Sequence, residues 1–141
     1  MADHDKLEAE VLTPDGEVFS GELEMLITRT STGEVGILAR HIPMVARLVP
    51  AELRLHKAEG GEVETYAQGE GWLEVFANRA RVLIAEAIPP DQLEAGELRE
   101  RLEEAEQRLS DAEEGSAAHE LAEREKARVQ AFLEIAERSS S

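Results

Sequence analysis

From Leu7 to Ile88 the chain runs as short apolar stretches, rich in β-branched and aromatic residues, broken at Thr13-Pro14-Asp15-Gly16, Ser31-Thr32-Gly33 and Glu59-Gly60-Gly61. Proline, glycine, serine and aspartate supply the backbone angles and local hydrogen bonds that tight turns need. In Val63-Glu64-Thr65-Tyr66-Ala67-Gln68 and in Leu53-Arg54-Leu55-His56 one side chain in two is apolar. Such alternation gives a strand one wet face and one dry one. Breaks spaced by roughly 8 to 12 residues with no helical period between them predict a sandwich or flattened barrel.

The texture changes at Pro89-Pro90. Neither proline can donate to a ladder, and each disfavours the helical region for the residue before it, so a boundary is expected there. Asp91-Gln92-Leu93-Glu94 then fits a capping box, which predicts a helix from about Gln92. Its apolar positions Leu98, Leu102, Ala105, Leu109 and Ala112 recur at spacings of four and three and form one narrow stripe. Glu114-Gly115-Ser116 reads as a glycine stop followed by a serine N-cap, and predicts a turn into a second, antiparallel helix. The stripe expected on that helix is Ala118, Leu121, Ala122, Val129, Phe132 and Ala136, interrupted by Glu125. Glu97/Arg101, Glu104/Arg108, Glu120/Arg124 and Glu134/Arg138 stand four apart with the acid first, each worth about 0.2 to 0.5 kcal/mol on a helix. A shared core of alanine and leucine predicts a hairpin less stable than the β domain and able to detach from it.

Composition narrows the function. The chain has 141 residues, 42% hydrophobic and 33% charged, enough for one compact domain and a thin, solvent-bathed appendage. A net charge of −16 argues against unaided binding to nucleic acid or anionic lipid, both of which are read through basic patches. Protein partners are therefore expected. There is no cysteine, so thiolate metal sites and disulfides are excluded and the compartment stays open. The acidic start Met1-Ala2-Asp3-His4-Asp5 precedes no long apolar run and is read as neither signal peptide nor membrane anchor.

No catalytic, cofactor-binding or metal-binding residues are expected. The histidines at 4, 41, 56 and 119 are scattered, without a metal-ligand spacing. Gly33-Glu34-Val35-Gly36 and Gly69-Glu70-Gly71 lack the lysine and hydroxyl of a phosphate loop and read as turns. No nucleophile has a base near it in sequence, and the carboxylates fall mainly on charged helix faces, where solvation explains them. The most specific feature is the cluster from Gly33 to Pro43, Gly-Glu-Val-Gly-Ile-Leu-Ala-Arg-His-Ile-Pro, read as a shaped turn into a buried strand.

That cluster resembles the epsilon subunit of the F-type ATP synthase, whose pattern here is Gly-Glu-Leu-Gly-Ile-Leu-Pro-Gly-His-x-Pro. Thr13-Pro14-Asp15-Gly16 with Phe19-Ser20-Gly21 resembles the family's opening. Gly71-Trp72-Leu73-Glu74-Val75 with Asn78-Arg79-Ala80-Arg81-Val82 resembles its Gly-Phe-x-Glu-Val and Asn-x-Val strand pair, so the likeness spans residues 7 to 87 in order. The resemblance implies a β + α fold: an N-terminal flattened β-sandwich of about ten strands over residues 1–88, then a C-terminal antiparallel two-helix hairpin over 89–141, with a Pro89-Pro90 linker and a disordered serine tail.

It further implies a non-catalytic central-stalk rotor subunit that binds the gamma subunit, rests on the ring of c subunits and couples ring rotation to ATP synthesis. The complex would stand on the cytoplasmic face of the bacterial plasma membrane, this subunit being peripheral and not inserted. By position Glu34 and His41 match the family's loop facing the c ring, while Gly33, Gly36, Pro43 and Gly71 are its structural positions. The opposite side of the sandwich and the hairpin would meet gamma. Ala39-Arg40 replaces the usual Pro-Gly, and Pro50-Ala51-Glu52 replaces a glycine-led strand start.

Some family members bind ATP on the hairpin through Ile/Leu-Asp-x-x-Arg-Ala. Here Leu93-Glu94-Ala95-Gly96-Glu97-Leu98 puts an acid where arginine belongs, and Phe132 stands where a second-helix arginine is common. A triphosphate needs cationic donors, so weak or no ATP binding is expected and no cofactor is implied. The family's hairpin can also reach the catalytic alpha and beta subunits and inhibit hydrolysis. Residues 89–141 hold seven basic and fifteen acidic side chains, which fits poorly with an acidic target. Two other readings fit the composition: a free-standing acidic protein-interaction module, which leaves the Gly33–Pro43 cluster unexplained, and an acid-dependent hydrolase, which needs two converging carboxylates about 5 to 10 Å apart.

Overall fold

The computed structural model describes residues 6–58 and 61–139. The acidic start with His4, the Glu59-Gly60 half of one predicted turn and Ser140-Ser141 of the serine tail lie outside the described residues. The chain divides into two compact units, Met1–Ile88 and Pro89–Ser141.

The first unit is a β-sandwich with nine strands among the described residues. They are β1 (Leu7–Thr13), β2 (Gly16–Thr30), β3 (Gly33–Leu38), β4 (Met44–Leu48), β5 (Ala51–Lys57), β6 (Val63–Gln68), β7 (Gly71–Phe76), β8 (Arg79–Ile84) and β9 (Ala87–Ile88). Pairing runs β1-β8-β7-β4-β2-β5-β6-β9, with β3 laid on β2 and β1 also paired with β2. β2 is fifteen residues long and serves both layers. Its first half pairs with β1, its second half lies between β3 and β5, and Thr30 reaches Leu48 of β4. Inward residues such as Leu7, Leu26, Ile37, Leu55, Leu73 and Val82 are fully buried between the layers. Truncating any one to alanine is expected to cost about 2 to 5 kcal/mol.

The turns at Pro14-Asp15 and Ser31-Thr32 form as the sequence predicts, each delivering a glycine at positive φ, Gly16 at 125° and Gly33 at 136°. Gly33 to Gly36 themselves are not a turn. They open β3, an edge strand that among the described residues pairs only with β2 and that buries only Ile37 of its own side chains. The expected buried strand is therefore a half-exposed one. β6 departs from simple alternation too: Val63 is exposed while Tyr66, Ala67 and Gln68 are all buried. Register accounts for Tyr66 and Gln68, because Tyr66 lies opposite core residue Leu53, which commits Glu64, Tyr66 and Gln68 to the inward side, while Ala67, of the other parity, is buried as well.

In the second unit the capping box does not form. Pro90–Gln92 is a 3-10 turn, with the Gln92 N–H donating to the Pro89 carbonyl at 2.9 Å and the Leu93 N–H to the Pro90 carbonyl at 3.1 Å. The rigid proline pair closes this turn and leaves Leu93 extended, so α1 (Ala95–Asp111) starts three residues later than expected, with Glu94 as N-cap. Ser116 does cap α2 (Ala117–Ser139): its Oγ accepts from the His119 N–H at 3.1 Å, and Gly115 before it has φ 83°. Leu98 and Ala105 of α1 are buried, as are Ala122, Val129, Phe132, Ile135 and Ala136 of α2. The stripe expected on α2 fails at its start, since Ala118 and Leu121 are exposed and His119 lies half-buried in their place. Across the pair Arg99 meets Glu137 at 3.1 Å and Lys126 meets Glu106 at 3.7 Å, while Glu97/Arg101 and Glu104/Arg108 close at 3.0 and 3.5 Å.

Candidate docking surface

β7 carries apolar residues on both faces. Leu73 and Val75 point into the core, which by strand alternation turns Trp72, Glu74 and Phe76 outward. Register adds neighbours to that outer face: Val45 of β4 lies opposite Glu74, Arg47 opposite Trp72, and on β8 Arg79 lies opposite Phe76 and Arg81 opposite Glu74. Phe76 is 72% exposed, Val45 70%, Trp72 51%, and Ile42 in the β3–β4 connection 74%. Large apolar side chains left in water side by side mark a protein contact, and aromatic anchors dominate such contacts. Charge both borders and interleaves them: Arg79 meets Glu8 at 3.1 Å, and Arg81 is shared by Glu10 at 3.4 Å and, at 3.8 Å, by Glu74, which stands between Trp72 and Phe76 along the strand. Each exposed pair contributes at most about 1 kcal/mol, so these charges add little to stability.

Two local features hold this face. Ala77 and Asn78, at φ 51° and 60°, form the two-residue turn between β7 and β8; positive φ at both centres is the twist-matched hairpin geometry, and asparagine tolerates it well. At the other end of β7, a Cβ on Gly71 would sit 1.9 Å from the Leu83 carbonyl oxygen, so no side chain fits between β7 and β8 there.

Glu34 is exposed on β3 beside the Ser31-Thr32 turn, opposite Arg29. His41 is half-buried beyond the other end of β3, its N–H donating to the Leu38 carbonyl at 3.2 Å. The two therefore do not share one loop: from Glu34 to Leu38 the strand itself spans about 13 Å. Gly33 and Gly36 stay on β3, and Pro43 is exposed just before β4. In the hairpin unit Leu93 precedes α1, Glu94 holds its N-cap position without a side-chain capping bond, Glu97 pairs with Arg101, and Leu98 is buried. The outward face of Trp72, Phe76 and Val45 escaped the sequence reading; its signal was a strand whose both parities are apolar. Among the described residues no three His, Asp or Glu side chains are grouped to hold a metal ion, and no helix is long and apolar enough to cross a membrane.

Residues 6–90 match the family described as ATP synthase, Delta/Epsilon chain, beta-sandwich domain. The ATP synthase epsilon chain of Halalkalibacterium halodurans is 36% identical over 132 residues, 94% of this chain and 98% of that one. Two solved structures share the fold. A chain of the Euglena gracilis mitochondrial ATP synthase, in an OSCP/F1/c-ring structure, gives a TM-score of 0.78 at 22% identity over 100% of this chain and 85% of its own. A chain of the Tetrahymena thermophila mitochondrial ATP synthase central stalk/c-ring gives 0.58 at 17% identity over 96% and 99%. The sequence, the sandwich and the helix pair agree, and the chain belongs to the family of ATP synthase epsilon chains.

Proposed function

We propose that this chain is a non-catalytic rotor subunit in the central stalk of a proton-translocating ATP synthase, held peripherally at the cytoplasmic face of the bacterial plasma membrane. Its β unit binds the gamma subunit and the c ring. The observation that carries this reading is the outward face of β4 and β7, where Trp72, Phe76 and Val45 are exposed among charged neighbours. Family membership supports it, as do the central stalk and c-ring assemblies named for the solved relatives. The separation of Glu34 from His41 suits two partners: the Ser31–Glu34 turn is the contact for the c ring, and the His41 end of β3 joins the surface for gamma. The hairpin unit, with its surplus of acid, has at most a minor part in restraining hydrolysis on the alpha and beta subunits.

Co-purification with gamma from the same source, with stoichiometry read by light scattering, tests this. A one-to-one complex is expected, weakened at least about 30-fold by Trp72→Ser with Phe76→Ser. Absence of any complex would overturn the reading and favour a free-standing interaction module.

A further inference from the structure

We infer that Asn78 is a positioning residue for the docking surface, its side-chain amide fixing the β3–β4 turn so that Ile42 and Phe76 are presented together; this rests on the reading of that surface as the site for gamma. Leu38-Ala39-Arg40-His41 is a tight turn closed by the His41 N–H on the Leu38 carbonyl at 3.2 Å. Within it only Arg40 has positive φ, 62°, the pattern of a type II turn whose third position favours glycine. A side chain there strains the turn, so something outside the turn must hold it.

Asn78 does so. Its Oδ1 accepts from the Arg40 N–H at 2.8 Å, a main-chain donor at the centre of the turn that the closing bond does not use. Its Nδ2 donates to the Lys6 carbonyl at 2.7 Å, and its own carbonyl accepts from the Glu8 N–H at 3.2 Å. One amide thus ties the β3–β4 turn and the start of β1 to the β7–β8 hairpin. Ile42 stands two residues after Arg40, Phe76 two residues before Asn78, and both are more than two-thirds exposed. The clamp sets the spacing between these two apolar side chains, which a rigid partner surface would read.

The two bonds can be separated chemically. Asn78→Gly keeps the left-handed backbone and removes both bonds, whereas Asn78→Asp keeps the acceptor for Arg40 and loses the donor to Lys6. In the full-length chain, Asn78→Gly is expected to speed amide exchange at Arg40 and to weaken calorimetric binding to gamma about tenfold, the scale of one lost hydrogen bond. Asn78→Asp is expected to bind within about twofold of the parent. Adding Arg40→Gly, which relieves the turn strain, is expected to restore part of the affinity lost in Asn78→Gly. Unchanged Arg40 exchange in Asn78→Gly overturns the clamp, as does an equal loss of affinity in Asn78→Asp, which would place the effect on the Lys6 tie. If the parent itself does not bind gamma, the docking reading fails, and Arg40 exchange still decides whether the clamp exists.

Discussion

The Thr28 hydroxyl donates to Gln68 Oε1 at 2.6 Å in the buried interior of the sandwich. Gln68 in turn donates through Nε2 to the Val49 carbonyl at 2.9 Å, so one fully buried amide joins β2, β6 and the β4–β5 connection. Removing the amide leaves a hydroxyl and a carbonyl without their partner. Gln68→Leu is therefore expected to lower unfolding free energy by about 2 to 3 kcal/mol, and Thr28→Val added to it by less than Thr28→Val alone. Urea denaturation of the four proteins in this cycle measures both effects; strict additivity would show that the bond couples nothing.

Gly71 is a matter of space. Besides the Leu83 oxygen, a Cβ would lie 2.8 Å from Ile84 Cα, and both obstacles are backbone. Gly71→Ala should force β7 away from β8 and cost about 3 kcal/mol, the upper range for overpacking. A matched Gly96→Ala, where a Cβ meets nothing within 4 Å, should leave stability equal or slightly higher. Thermal melts of the two variants distinguish the cases.

Tyr66 is the single tyrosine of the chain. Burial, and then its hydrogen bond to the Glu64 carboxylate, push its hydroxyl up from 10.0 to about 12. The folded state thus keeps the proton that the unfolded chain releases, so the stabilisation is complete below pH 10 and is lost as pH rises towards 12. The loss is on the order of 2 kcal/mol. Lys57, raised by its hydrogen bond and ion pair to Glu64, contributes in the same direction. Phenolate absorbance should titrate near 12 in the folded chain, and Tyr66→Phe should flatten the alkaline fall in stability. A folded midpoint near 10 would contradict this.

On the hairpin, the stretch Leu93 to Leu98 and its neighbours carry acids, and their arginines are already paired. Glu94 stands at the N-cap position of α1, Glu97 holds Arg101 at 3.0 Å, and Arg99 is held by Glu137 at 3.1 Å. Recruiting either arginine to phosphate would break an ion pair and bring in more negative charge. Calorimetry with MgATP should give no saturable heat, and a clear isotherm would refute the expectation. Removal of residues 89–141 should likewise leave hydrolysis by the assembled complex nearly unchanged, whereas strong activation would show that the hairpin restrains it.

Local chemistry was legible where one residue dictates geometry: Pro14-Asp15, Ser31-Thr32 and the Ser116 start of α2 lie where the sequence puts them, whereas α1 ends at Asp111, ahead of the expected Gly115 stop, and the sandwich followed by two helices agrees with the texture on either side of Pro89. What escaped depended on pairing between distant segments. Val63 looks like a core residue until Leu53 fixes the parity of β6. Asp91 looks like a cap until Pro89 and Pro90 close a 3-10 turn ahead of the helix. Leu121 outranks His119 in hydrophobicity, yet Leu121 is exposed and His119 half-buried. The same limit hid the docking face, because Trp72 and Phe76 are separated from Val45 by some thirty residues and meet it only through the β4–β7 register. Asn78 was visible as part of a motif, but nothing local shows that its amide reaches Lys6 and Arg40.

β2 gives the sandwich a mechanical property beyond its stability. Two stacked layers held by side chains alone can slide, since apolar packing resists separation more than lateral displacement. Here a single covalent backbone passes from pairing with β1 to pairing with β3 and β5. Lateral displacement of one layer must therefore stretch or unzip that strand, and a twist applied at one face reaches the other through peptide bonds.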